Sequence, residues 1–136
     1  MKINIIYWSG TGNTEAMANF IKEGVESTDA IAIVKNVSDA KATDVDCDIL
    51  CLGCPSMGSE VLEESEFEPY IDTIESSVRG KKLALFGSYD WGDGQWMRDW
   101  AKRMENAGAA IVCESFIVRG TPDGDECKTF GIEIAK

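Results

Sequence analysis

The sequence predicts a doubly wound α/β domain: a five-stranded parallel sheet in the order 2-1-3-4-5, with helices on both faces, spanning residues 1–136 as one domain. Three observations carry this. Five short apolar runs recur along the chain, segments of helical spacing separate them, and the first run drops straight into Ser9-Gly10-Thr11-Gly12-Asn13-Thr14. Strands alternating with helices join through right-handed crossovers into a parallel sheet. Periodicity alone leaves competing strand orders open. The order 2-1-3-4-5 puts the reversal of winding between strands 1 and 3, at whose carboxyl ends ligands of such sheets bind.

Ile3 to Trp8 form the first buried strand, and Met17, Phe20/Ile21 and Gly24/Val25 mark the apolar stripe of the first helix. Ile31 to Val37 give the second strand. Ser38 to Cys47 carries a weak pattern with room for one short helix. Asp48 to Gly53 form the third strand, and Phe67, Tyr70/Ile71, Ile74 and Val78 mark a helix beginning near Pro69, since proline fits a first helical turn. Lys82 to Gly87 form the fourth strand; Met97, Trp100/Ala101 and Met104 mark the next helix, closed by Gly108. Ala110 to Val118 complete the sheet, and Thr121-Pro122-Asp123 opens a last helix through Cys127, Phe130/Gly131 and Ile134.

The 136 residues, 44% hydrophobic and 27% charged, suffice for one domain with its own core. The apolar N-terminal run is far shorter than the ~20 residues of a membrane span and lacks a signal-peptide cleavage pattern, so the chain reads as cytoplasmic. Thirteen basic against twenty-four acidic residues give a net charge of −11, which argues against nucleic acid and anionic membranes and for basic partners. Glu60, Glu63, Glu64, Glu66 and Glu68 crowd one stretch past a strand end, and Asp90 and Asp93 another. If these loops flank a ligand, acidic charge surrounds it. The chain has no histidine, which removes imidazole acid-base catalysis and His-metal sites.

The junction at Ser9 to Thr14 is suited to a phosphate. Small residues let the backbone turn tightly, its N–H groups can converge on one anion, and the following helix directs its positive dipole end there. Ser9, Thr11 and Thr14 add hydroxyls. No Lys or Arg lies between Lys2 and Lys22, so hydrogen bonds and dipoles would act alone. A P-loop would need a Gly-Lys-Ser/Thr ending, which is missing, and a dinucleotide fingerprint begins at Gly10 and Gly12 but meets Glu15 at its third glycine. One terminal phosphate, of a mononucleotide or sugar phosphate, fits better.

Two further strand-end loops, Cys54-Pro55-Ser56-Met57-Gly58-Ser59-Glu60 and Ser88-Tyr89-Asp90-Trp91-Gly92-Asp93-Gly94, each set a large apolar side chain among glycines. Met57 and Trp91 are therefore expected as walls for something flat. Trp8, Trp96 and Trp100, in a strand end or at helical packing spacing, read as core residues. Cys47, Cys51 and Cys54 have the C-x3-C-x2-C spacing of some iron-sulfur sites. Alternating side chains along a buried strand would point apart, so the five cysteines read as reduced, core-filling or inert thiols with no assigned role.

These residues resemble the short-chain flavodoxins over the whole chain. W-S-G-T-G-N-T looks like their phosphate loop, L-G-C-P-S-M-G-S-E like their isoalloxazine loop after strand 3, and G-S-Y-D-W-G-D-G like the loop after strand 4; the fifth strand lacks the insertion of long-chain members. The resemblance implies a flavodoxin-like fold and non-covalently bound flavin mononucleotide (FMN). The phosphate would lie on Ser9, Gly10, Thr11, Gly12, Asn13 and Thr14. The ring would lie between Met57 and Trp91, within loops comprising Pro55, Ser56, Gly58, Ser59 and Glu60 on one side and Ser88, Tyr89, Asp90 and Gly92 on the other. By similarity Glu60 would bond the ring's pyrimidine edge, and the Gly58-Ser59 peptide would turn over on reduction.

The implied function is low-potential one-electron transfer, cycling between semiquinone and hydroquinone, in a carrier that is not an enzyme and has no metal site. Basic-faced reductases and low-potential acceptor enzymes would be its partners, and it would act as a monomer. A flavodoxin-like activator dedicated to one reductase is the alternative. Close relatives commonly have glycine at the position of Asp90. A positive φ there would strain Asp90, and its carboxylate could press on the reduced ring. A receiver domain would need acidic residues where Trp8-Ser9 stand and an aspartate where Cys54-Pro55 stand. A small phosphatase would need Arg six residues after Cys54, the position of Glu60.

Overall fold

Every pairing in the sheet is parallel, as short strands alternating with helices require. The computed structural model describes residues 1–136. The elements are β1 (Lys2–Tyr7), α1 (Asn13–Glu26), β2 (Ile31–Asn36), β3 (Ile49–Gly53), α2 (Phe67–Ile74), β4 (Lys82–Tyr89), α3 (Gln95–Asn106), β5 (Ala110–Ile111), β6 (Phe116–Arg119) and α4 (Gly124–Ile134). The order is β2-β1-β3-β4-β5, with β6 also paired to β4. Lys2 stands opposite Ile31, Ile3 opposite Ile49, Leu50 opposite Leu83 and Phe86 opposite Phe116. The winding therefore reverses at β1 and β3, as the sequence predicts.

Two predicted elements differ. The expected fifth strand is two, because Cys113-Glu114-Ser115 breaks the apolar run between β5 and β6. The expected short helix between Ser38 and Cys47 is instead two 3-10 turns, Val37–Asp39 and Ala42–Val45. Side chains compete with helix there: Asn36 accepts from Ser38 N at 3.0 Å and Asp44 from Lys41 N at 2.7 Å.

Strand alternation splits the core into two layers. Ile6, Leu50, Leu52, Leu83 and Leu85 pack beneath α2 and α3, while Ile3, Ile5, Cys51, Ala84 and Phe86 face α1 and α4. Trp96 and Trp100 are core residues as expected: Trp96 Nε1 donates to Cys54 O at 3.2 Å, and Trp100 meets Phe67 edge-on at 5.4 Å. Gly24 in α1 and Gly131 in α4 let the helices touch, since a Cβ on either would overlap the other helix's backbone. No helix is long and apolar enough to cross a membrane.

All five cysteines are free thiols. Cys51 and Cys54 are fully buried in opposite layers, and burial pushes the Cys54 thiol up to about 12. No group of three or more His, Cys, Asp or Glu is arranged to hold a metal ion.

Candidate functional site

The sheet's hydrogen bonding continues past its strands and draws three loops together. Trp8 N donates to Gly53 O at 3.0 Å, Cys54 N to Phe86 O at 3.2 Å, and Ser56 N to Ser88 O at 3.0 Å. Between these loops lies a cleft of about 140 Å³ lined by Trp8, Gly10, Thr11, Asn13, Pro55, Ser56, Met57, Ser88, Tyr89 and Asp90. It occupies the carboxyl ends of β1, β3 and β4, at the switch point. Two larger hollows of about 630 Å³ each, between β6 and α4 and between α2 and α3, are more open and lined mostly by charged and polar side chains.

One wall of the cleft is an anion cradle. Helix α1 begins after Gly12, whose φ of 101° suits glycine, and no side chain caps it. The N–H groups of Gly10, Thr11, Asn13, Thr14 and Glu15 donate to no group of the protein. Five unspent donors at a helix start, with no lysine or arginine in the loop, fit a phosphate group. Thr14 Oγ1 is buried against Ser88 Oγ at 3.0 Å, and Ser9 Oγ accepts from Gly12 N at 3.1 Å. Of the three hydroxyl-bearing residues in the loop, Thr11 lines the cleft and Ser9 and Thr14 brace it.

The second wall is a tight hairpin. Met57 and Val61 exchange N–H···O bonds of 2.9 and 3.1 Å around Gly58-Ser59-Glu60. Gly58 has φ of 34° and Glu60 of 57°, the latter the one non-glycine in the left-handed region. Glu60 Oε1 accepts from Asp93 N at 3.2 Å, tying this hairpin to the loop after β4. Met57 lines the cleft; Trp91, 57% exposed, stands outside it on the adjoining loop, as do Gly58, Ser59, Glu60 and Gly92. Asp90 has no positive φ, which corrects the strain considered from sequence. β4 runs through Tyr89, and the left-handed positions of this turn fall on Gly92 and Gly94.

The acidic rim is thinner than the sequence suggests. Glu63 is buried, and its carboxylate accepts from the N–H groups of Ser65, Glu66 and Phe67 at 2.8–2.9 Å, capping α2. Burial alone would raise its pKa; the three backbone donors outweigh that and hold it below the usual carboxylate range. Glu68 pairs with Arg103 at 2.7 Å and Asp93 with Arg98 at 2.9 Å. Glu64, Glu66 and Asp90 remain exposed, and Glu60 is half-buried.

Two residues near the cleft escaped sequence reasoning. Trp8 does pack against the core, but its ring also lies over Gly10 and lines the cleft. The Arg119 guanidinium sits 5.9 Å from the centre of the Tyr89 ring, a cation that β6 brings against a residue lining the cleft. Nothing local in the sequence signals either. Behind the cradle, Tyr7 OH donates to Glu15 Oε2 at 2.6 Å, and burial followed by this bond pushes the phenol up to about 12.

Comparison with known proteins agrees with this geometry. The Flavodoxin family model matches residues 5–130. A flavodoxin of Clostridium beijerinckii is 51% identical over 98% of this chain and 99% of its own length, and one of Megasphaera elsdenii 43% identical over 98% of both. The solution structure of two-electron reduced Megasphaera elsdenii flavodoxin superposes with a TM-score of 0.90 over 98% of both chains. A flavodoxin structure from the domain Archaea, 29% identical, gives 0.89 over 99% of this chain and 96% of that one.

Proposed function

The chain belongs to the flavodoxin family, and from that premise we infer that it carries electrons one at a time on non-covalently bound FMN. It is an electron-transfer protein rather than an enzyme. One observation carries the reading: at the switch point, five unspent N–H donors gather at the start of α1, and three of their residues, Gly10, Thr11 and Asn13, line a cleft shared by the loops after β1, β3 and β4. When bound, FMN supplies the one-electron chemistry, and the protein sets its position and the cost of its charge.

The proposed roles follow the geometry. The N–H groups of Gly10, Thr11, Asn13, Thr14 and Glu15 and the Thr11 hydroxyl bind the phosphate, with Ser9 and Thr14 bracing the loop. Met57 and Trp91 provide apolar walls, and Trp8 and Tyr89 close the inner end. Stacking on such walls contributes about 0.5–1.5 kcal/mol beyond burial, so the cradle has to supply much of the affinity. Glu60, held to Asp93, presents its remaining carboxylate oxygen to the ring edge. The Gly58-Ser59 peptide, at the hairpin tip, can turn its carbonyl toward the ring and offer an acceptor.

The potential is proposed to be low, because negative charge near the ring disfavours adding an electron. The exposed carboxylates of Glu64, Glu66 and Asp90, together with Glu60, support this, with Arg119 as a partial offset. The same charge favours docking of basic-faced redox proteins. Five free thiols fit a reducing, cytoplasmic compartment.

The test is reconstitution. Purified protein supplied with FMN should turn yellow, quench flavin fluorescence at one equivalent and release FMN in acid. A colourless protein that ignores added FMN overturns the reading.

A further inference from the structure

Glu15 is the third residue of α1, following Asn13 and Thr14. From that position a glutamate ordinarily turns back onto the N–H at the helix start, as in a capping box, and any carboxylate there is drawn by the helix dipole. In this chain such a return would put an anion of the protein's own into the cradle that is otherwise open to phosphate. The structure shows another arrangement. Gly12 N–H is taken by Ser9 Oγ at 3.1 Å, and the Glu15 carboxylate is held by the Tyr7 hydroxyl at 2.6 Å.

Tyr7 cannot follow the carboxylate. It ends β1, pairs with Asn36 on one side and Gly53 on the other, and is 7% exposed, whereas Glu15 is exposed on the helix surface. The cradle has no lysine or arginine to hold a phosphate against a competing carboxylate. Its selectivity therefore depends on keeping that carboxylate away.

We propose that Tyr7 is a positioning residue for phosphate selectivity: its hydroxyl withdraws the Glu15 carboxylate from the N–H cradle of α1 and leaves the cradle open to the phosphate of FMN. The proposal rests on the FMN-carrier reading and adds to it a residue that touches neither phosphate nor ring.

The experiment titrates the apoprotein with FMN and, separately, with riboflavin, which has the ring without the phosphate, following flavin fluorescence. Tyr7→Phe should bind FMN at least about tenfold more weakly and riboflavin as before, the loss expected when a hydrogen bond to a charged group is removed. Tyr7→Phe combined with Glu15→Gln should recover FMN affinity, because the competing charge is gone. Glu15→Asp tests the same idea with β1 untouched: losing one methylene draws the carboxylate back from the Tyr7 hydroxyl, so FMN affinity should fall selectively there too. Equal losses for both flavins, a loss that the double variant fails to recover, or no loss in either single variant overturns the proposal. A wild-type chain that binds no flavin overturns the carrier reading itself.

Discussion

The hydroxyls of Thr14 and Ser88, separated by 74 positions in the chain, meet at 3.0 Å with both residues buried. This bond fastens the start of α1, the proposed phosphate cradle, to the end of β4, so that loops after β1 and β4 hold their spacing. Ser88→Ala leaves the Thr14 hydroxyl buried without its partner. The cost should be about 1–3 kcal/mol, with weaker FMN binding. Urea unfolding of the apoprotein and FMN titration check it; unchanged values in both would show that the bond does not brace the site.

Glu63 should make stability depend on pH. Its folded pKa is depressed, so its contribution is complete above the ordinary carboxylate range and is lost as pH falls through the depressed value. Glu63→Gln should cost about 1–2 kcal/mol near neutral pH, as loss of a helix cap does. The gap between wild type and variant should narrow as pH falls through the depressed value, where the wild-type carboxylate protonates. Denaturant unfolding from pH 3 to 8 measures this, and a gap that does not vary with pH contradicts it.

With no positive φ at Asp90, its proposed influence on the ring is through charge. A carboxylate roughly 10 Å from the ring, at an effective dielectric of about 40, costs about 0.8 kcal/mol by Coulomb's law, which corresponds to about 35 mV. Asp90→Gly should therefore raise the more negative one-electron couple by about that amount, and less at high salt. Potentiometric titration decides it; no change or a fall refutes the assignment.

Gly58 offers a cleaner probe of the hairpin. A Cβ added there meets nothing within 4 Å, so Gly58→Ala acts through backbone freedom alone. The left-handed conformation that Gly58 holds costs alanine about 1 kcal/mol, so the balance between the two orientations of the peptide should shift and the separation of the two one-electron couples should change by about 40 mV. Unchanged separation between them would mean that this peptide does not respond to reduction.

The strand-to-helix junction proposed to hold the phosphate is legible because its signals are contiguous: an apolar strand, small residues, then a helical stripe. Met57 and Trp91 were legible as large residues among glycines, although only Met57 lines the cleft of the protein itself. Glu63 reads in the sequence as one of five acids about a ligand loop, because nothing in a run of acids marks the one that turns inward to cap a helix. Trp8 was assigned to packing, and it packs and lines the cleft at once. The break between β5 and β6 was visible in Cys113-Glu114-Ser115, but the flanking apolar residues outweighed it.

By itself the sequence determined the alternation of strands and helices, the three strand-end loops and the likeness to flavodoxins, because strand period, helix period and turn chemistry are written within a few neighbouring residues. Only the tertiary structure decided which hydroxyls and carboxylates are spent inside the protein and which face the cleft. Thr14 on Ser88, Glu60 on the amide of Asp93, Arg119 over Tyr89 and Arg103 on Glu68 all join residues more than 25 positions apart. Tyr7 and Glu15 are close in sequence, yet they meet because a strand and the helix after it pack together. Such partnerships depend on how twisted strands and crossing helices stack in space, and that information lies in packing rather than in any local stretch of the chain.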